Sequence, residues 1–339
     1  MFKQLKSRKL CQAMVVCSLV FSGAASSAEY RIKLSHSSPA VNDRLEASLQ
    51  VFKQNVEART DGAVSISTFP ASQLGGEREQ LEGVQFGSIE MAVLAGPVSS
   101  IYPEVLVFEL PYLFENREVA YQVLDGDFGQ KILDGMLPKT GIRGLAWGEN
   151  GFRHFTNSVR PISSPSDLNG MKIRTMENPA HIQMVESFNA TATPMAFGEV
   201  YSSLQQGVID GQENPISLIE SMRFYEVQEH LTLDGHVYNP FMFMVNNRFF
   251  ERLPDEYQTV IQEEARNWAN VQRELNAEQE NKGLQKLKEE GMQVVELSDE
   301  DMQLFREQTK PVYNTYRKQL GDEIIDELMQ AVAMAEGLQ

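Results

Sequence analysis

Three patterns in the 339-residue chain predict an α/β protein of two lobes, with sheets covered by helices and one long helix laid across both lobes. Strand-like and helix-like segments alternate from Tyr30 to Ala95. The same alternation returns from Ile142 to Pro215, and a proline-free helical run follows from Asp255 to about Gly291.

In the first set, "YRIKLSH" alternates apolar and polar residues as a strand does, and "LEASLQVFKQNVEART" has helical spacing. "AVSISTF" is a second strand, stopped by Pro70. "GGEREQLEGVQFG" supplies a Gly-Gly turn, an acidic first helical turn and a closing Gly87, and "IEMAVLA" resumes as a buried strand. Strand, helix, strand, helix, strand is the grammar of a parallel sheet with helices on both faces. Open sheets of this kind bind ligands at the carboxyl ends of their strands, which here carry Ser35 to Ser38 and Gly96 to Ser100.

The second set opens with "IRGLAWGENGFRHFTN". A turn rich in proline and serine, "RPISSPSDLNG", leads to the strand "MKIRTM", the helix "PAHIQMVESFNA" and then "ATPMAF". In "FGEVYSSLQQGVIDGQENP", Glu199 to Gln206 reads as a helix ended by Gly207. Val208 and Ile209 read as core, and Phe197 and Asn214 stand at the two ends.

The run from Asp255 would be roughly 55 Å long, more than one lobe is wide. Ile261, Ala265, Trp268, Val271 and Leu275 mark a narrow apolar stripe along it. That stripe is too short and irregular for a coiled-coil dimer, so the helix reads as a spine across two lobes. "MQVVEL" is a late strand. Ser298 then caps a helix with Asp301 at the capping-box position.

The first residues set the compartment. "MFKQLKSRKL" is basic, an apolar run from Ala13 to Phe21 follows, and Ser26-Ser27-Ala28 ends in small residues. This is the pattern of a secretory signal peptide, residues 1–28, cut after Ala28. The apolar run is too short to span a bilayer, so no membrane insertion is expected. Both cysteines, Cys11 and Cys17, lie in that leader, which excludes disulfides and thiolate chemistry from the mature protein. Removing the leader's four basic residues takes the formal charge from −17 to −21. Such an acidic surface argues against nucleic acid and anionic membrane as partners, and keeps an exported protein soluble. An anionic ligand would then need cations focused inside a cleft.

No dinucleotide or phosphate loop, no zinc-protease helix and no nucleophile elbow occurs. The histidines at 36, 154, 181, 230 and 236 lack metal-ligand spacing. No metal, no cofactor and no catalytic residue is expected.

Two long motifs, "NGFRHFTNSVRPISSPSDLNGMKIRT" and "ATPMAFGEVYSSLQQGVIDGQENP", resemble the solute-binding proteins of tripartite ATP-independent periplasmic (TRAP) transporters, of the DctP-like family. "SQLGGEREQLEGVQFGSIEMA" and "FELPYLF" extend the resemblance through the first lobe, so that it covers essentially the whole mature chain. The branch it is similar to contains binders of sialic acid, sugar acids and C4-dicarboxylates. The resemblance implies two α/β lobes joined by crossing strands: residues 29–151 with about 240–278, and 152–239 with about 279–339. It implies a monomer that catches a small organic acid in the periplasm and delivers it to membrane permease subunits driven by a sodium gradient.

Arg174, at the end of "MKIRTM", matches the family's carboxylate anchor. A guanidinium suits that task because its paired donors fit a carboxylate. Arg153 matches a second basic pocket residue, Asn214 the amide that completes carboxylate recognition, and Phe197 an aromatic packed on the ligand's carbon skeleton. Sialic-acid binders carry a Glu after the third strand, where this chain reads "LAGPVSS", which speaks against sialic acid. His36 and Ser37 in "SHSSP", together with Gly96, are expected to read the far end of the ligand. Tyr238 and Asn239 in "GHVYNP" lie near a hinge. These groups suit a hydroxylated acid, either a uronate or aldonate or a C4-dicarboxylate such as malate. A periplasmic enzyme on a similar carboxylate, or a ligand-loaded partner of a membrane sensor, are the alternatives.

Overall fold

The computed structural model describes residues 28–337. The expected leader, with Cys11 and Cys17, falls outside the described residues apart from Ala28. Among the described residues no helix is long and apolar enough to cross a membrane.

Nine strands form one continuous mixed sheet: β1 (Tyr30–Ser35), β2 (Val64–Phe69), β3 (Met91–Leu94), β4 (Ile142–Asn157), β5 (Lys172–Thr175), β6 (Thr191–Pro194), β7 (Gly211–Asn214), β8 (His230–Asn246) and β9 (Gln293–Glu296). Their order is β2-β1-β3-β8-β4-β7-β5-β6, with β9 beside the first residues of β8. β4 and β8 are antiparallel, 16 and 17 residues long, and run through both lobes. In the first lobe β3 pairs with the end of β8, Met91 opposite Val245. In the second lobe β7 pairs with the end of β4, His154 opposite Asn214.

The two shared strands bend where they pass between the lobes. Their register shifts three times, at Gly144/Ala146, Glu149/Gly151 and Arg153/Phe155, and such bulges kink and twist a ladder. Gly151 has φ 126, a conformation that favours glycine, and a Cβ there would stand 2.7 Å from Glu280 Oε1.

Helix α1 (Arg44–Arg59) starts on Asp43, whose carboxylate accepts from the N–H groups of Leu45 and Glu46. Leu45, Leu49, Phe52 and Val56, at steps of three and four, pack its inner face on the first lobe's strands. There Phe243 takes Phe52 and Trp268 edge-to-face, at 4.8 and 4.9 Å between centroids. Helix α2 (Glu77–Phe86) starts on Gly76 and ends on Gly87 at φ 85, burying Leu81 and Val84. That leaves its first residue, Glu77, at the gap between the lobes.

The long helix runs from Asp255 to Glu289, about 52 Å at 1.5 Å per residue. Ile261, Ala265 and Trp268 are buried as expected, whereas Val271 and Leu275 are only half-buried. Between Ala269 and Gly283 the buried residues are polar: Gln272, Arg273, Asn276 and Glu280. The reason lies in the bulged strands beneath. Gln272 accepts from the Glu149 N–H and donates to the Glu149 carbonyl, both at 2.7 Å, satisfying backbone groups the bulge leaves unpaired. Asn276 accepts from Arg44 Nε at 2.7 Å, tying the spine to α1.

Two departures are local. Val208, expected in the core, is 53% exposed in the turn after Gly207, while Ile209 is buried. Ser298 accepts from the Asp301 N–H and donates to the Asp301 carboxylate, so the short Asp side chain closes only half a capping box. The last helix, Asp322–Ala335, packs on the helices Arg117–Asp125 and Asp127–Thr140 of the first lobe's segment.

Candidate ligand-binding cleft

Arg174 is the second-last residue of β5, and β5 pairs in parallel with β6 and β7, so its carboxyl end opens toward the first lobe. Arg174 as a whole is 2% exposed. Its Nε and Nη2 donate to the Met195 carbonyl at 3.2 and 2.8 Å. Nη1 is buried and has no partner. The Phe197 ring lies beside it, 5.9 Å from Cζ to centroid. Burial without a paired carboxylate lowers the Arg174 pKa to about 10, although Glu213 and Glu77 pull it back up.

Arg174, Phe197 and Asn214 line one wall of a cleft, and Ser37, Ser38, Glu77 and Pro97 line the other. Asn150 of β4 and Phe241 of β8 lie between them at the crossing point. The enclosed space is small, and the two walls stand close across it. The lobes touch around it. Met176, next to Arg174 in the second lobe, joins the first lobe's apolar cluster, and a Cβ on Gly96 would stand 3.0 Å from Met176 Cβ. At the rim, Arg78 of α2 donates to Glu177 from Nε and Nη2 at 3.1 and 3.0 Å.

The other residues expected at the site stand behind this surface. Arg153 is fully buried and forks onto Glu213, Nη2 to Oε1 being 2.9 Å. Burial would raise the Glu213 carboxyl, but Arg153 and the rings of His181 and His236 outweigh it and hold Glu213 well below the usual carboxylate range. His236 bonds Asp234 at 2.7 Å and Glu213 at 3.2 Å, and these anions raise its pKa to about 9 against the opposing effect of burial. Asn239 donates to Glu109 and accepts from Asn150, both at 2.7 Å. Tyr238 is buried edge-to-face between Phe114 and Phe152. His36 turns its ring away to Glu46, at 2.8 Å, leaving Ser37 to face the cleft, where its hydroxyl accepts from Gln80 at 3.0 Å.

Sequence reasoning missed Glu77, Asn150 and Met176. Glu77 is the first residue of α2, where an acid is the ordinary choice for a helix start, so nothing local distinguishes it. Burial raises its pKa to about 7, with Glu109 adding to the rise while Arg174, Arg153 and the Gly96 N–H oppose it.

The family model DctP, bacterial extracellular solute-binding protein family 7, matches residues 34–319. A solute-binding protein of Verminephrobacter eiseniae is 40% identical over 91% of this chain and 90% of its own length. The TRAP solute-binding protein of Polaromonas sp. JS666, solved with D-erythronate, superposes with a TM-score of 0.85 at 39% identity, covering 89% of this chain and 98% of that one. The sugar acid binding protein DctPAm of Advenella mimigardefordensis, solved with galactonate, gives 0.88 at 34% identity, covering 91% and 99%. Other solved structures similar to this chain hold glucuronate or succinate. Two α/β lobes, a cleft with a buried guanidinium and these matches lead to one conclusion: the chain belongs to the DctP family of periplasmic solute-binding proteins of TRAP transporters, which carry small organic acids and are not enzymes.

Proposed function

We propose that this protein captures a small hydroxylated carboxylate in the periplasm, anchors it on Arg174, and delivers it to a sodium-driven TRAP permease. The observation that carries the reading is the buried Arg174 Nη1, which has no partner and stands beside Phe197 and Asn214 in the cleft. With Nε and Nη2 already on Met195, a carboxylate would be held end-on, between Nη1 and the second hydrogen of Nη2. Asn214 would add an amide contact and Phe197 an apolar face, with Ser37 meeting hydroxyls from the opposite lobe.

Arg153 acts from behind, fixing Glu213 under the site. His36, Tyr238 and Asn239 support the cleft walls, and Gly96 lets the lobes approach. Residues 1–28 act as the export leader, cut after Ala28, and the mature chain works as a monomer. The erythronate and galactonate held by similar proteins support a sugar acid as ligand.

Calorimetry with a panel of aldonates, uronates and C4-dicarboxylates, on wild type and Arg174→Ala, tests the reading. The expected result is one or more tight ligands, recovered unaltered, with binding lost in the variant. Turnover of the ligand, or normal binding by Arg174→Ala, would overturn it.

A further inference from the structure

The walls of the cleft carry unequal charge. Arg174 is the one cation among its described lining residues, while Glu77 and Glu177 are both anions. Glu177 is occupied at the rim by Arg78. Glu77 is held by no side chain, and it looks from the first lobe toward Arg174 without touching it. Arg153, the next cation inward, is already forked onto Glu213 and is fully buried.

A ligand's first carboxylate would take the free edge of Arg174. A second carboxylate at the far end would find no unengaged cation and would meet the half-buried Glu77 across a narrow cleft, where like charges in contact are costly. A hydroxyl at the same place could donate to Glu77. Ser37 and Ser38 stand on the same wall and can donate or accept alongside it.

We propose that Glu77 is the residue that sets ligand class in this cleft, selecting polyhydroxy monocarboxylates and rejecting dicarboxylates. The inference rests on Arg174 being the carboxylate anchor. It assigns the two ends of the ligand to the two lobes, so that closure is favoured only when an acid group and a hydroxyl-bearing tail are both present.

The test is calorimetric titration at pH 8 of wild type, Glu77→Gln, Glu77→Asp and Arg174→Ala with D-erythronate, D-galactonate, succinate and malate, with thermal melts to confirm folding. Wild type should prefer the aldonates. Glu77→Gln, isosteric but uncharged, should weaken galactonate at least tenfold and tighten succinate at least tenfold. Glu77→Asp keeps the charge on a shorter arm, so it should weaken galactonate yet still reject succinate, and it carries the test if the Gln variant does not fold. A galactonate-to-succinate ratio within threefold of wild type in Glu77→Gln would overturn the proposal, as would a wild type that prefers either dicarboxylate. Undiminished binding by Arg174→Ala, with the ratio still shifted in Glu77→Gln, would sink the anchor reading alone. Failure of wild type to bind any of the four acids would overturn both.

Discussion

Arg174 gives two hydrogen bonds to the carbonyl of Met195, from Nε at 3.2 Å and from Nη2 at 2.8 Å, and so presents only the far edge of its guanidinium to the cleft. Orientation is therefore set by the backbone before any ligand arrives. Because β5 and β6 pair in parallel, Met195 follows directly on the strand beside Arg174, and the two cannot drift apart without breaking the sheet.

Arg174→Ala should abolish measurable ligand binding while leaving the fold in place. Removing one partner of a desolvated charged contact costs roughly 2–5 kcal/mol, about 30-fold to several-thousand-fold in affinity. Arg174→Lys should lose most of that as well. A single ammonium cannot hold the Met195 carbonyl and also offer a two-point edge. Isothermal titration with the best wild-type ligand, beside a thermal melt, checks both variants.

Closure depends on how near the lobes come at Gly96. A methyl group there would stand 3.0 Å from Met176 Cβ and 3.3 Å from its sulfur. Gly96→Ala should thus disfavour the closed arrangement by the roughly 1–3 kcal/mol typical of overpacking, about five- to 150-fold in affinity. The loss should appear mainly as faster ligand release in stopped-flow, because closure follows capture. An unchanged release rate would show that the lobes do not meet there in the bound state.

The buried ion cluster behind the cleft makes a separate prediction about stability. His236 has its pKa raised to about 9 in the fold, so it binds its proton more tightly there than when unfolded. Its contribution is fully present below the unfolded value, about 6.5, and is lost as pH rises through 9. The midpoint of thermal unfolding should fall between pH 6.5 and 9. His236→Gln should start lower and flatten that decline.

Sequence pattern carried the strand-and-helix order, the long spine and the place of Arg174 near the carboxyl end of β5, because each is written in local spacing or in one contiguous motif. What it could not carry is pairing at a distance. Arg153 looks like a pocket cation until Glu213, sixty positions on, is seen to take its fork. His36 looks like a ligand reader until Glu46 is seen to hold its ring. Glu77 is the converse, an ordinary helix-start acid that the closing of two lobes turns toward a cleft. The polar face of the spine past Trp268 was hidden for the same reason, since it answers bulges in β4 that no periodicity announces.

Glu77 also predicts how selectivity should change with pH. Its carboxyl titrates near 7, raised first by burial and then by Glu109, and opposed by Arg174, Arg153 and the Gly96 N–H. Above that value it is mainly an anion and repels a second carboxylate; below it the carboxyl is mainly neutral and the repulsion fades. Lowering pH from 8 to 7 should therefore tighten succinate relative to galactonate, while both ligands stay ionised, because even the second carboxyl of succinate titrates well below 7. Capture of a dicarboxylate above pH 7 should draw about one proton onto the protein, so its affinity should rise by up to about tenfold per pH unit on acidification. An aldonate hydroxyl donates to the charged form and should show no such gain. Titrations of both ligands in buffers of different ionisation heat measure the proton uptake directly. Equal uptake for the two acids would mean that Glu77 is not the group meeting the ligand's far end.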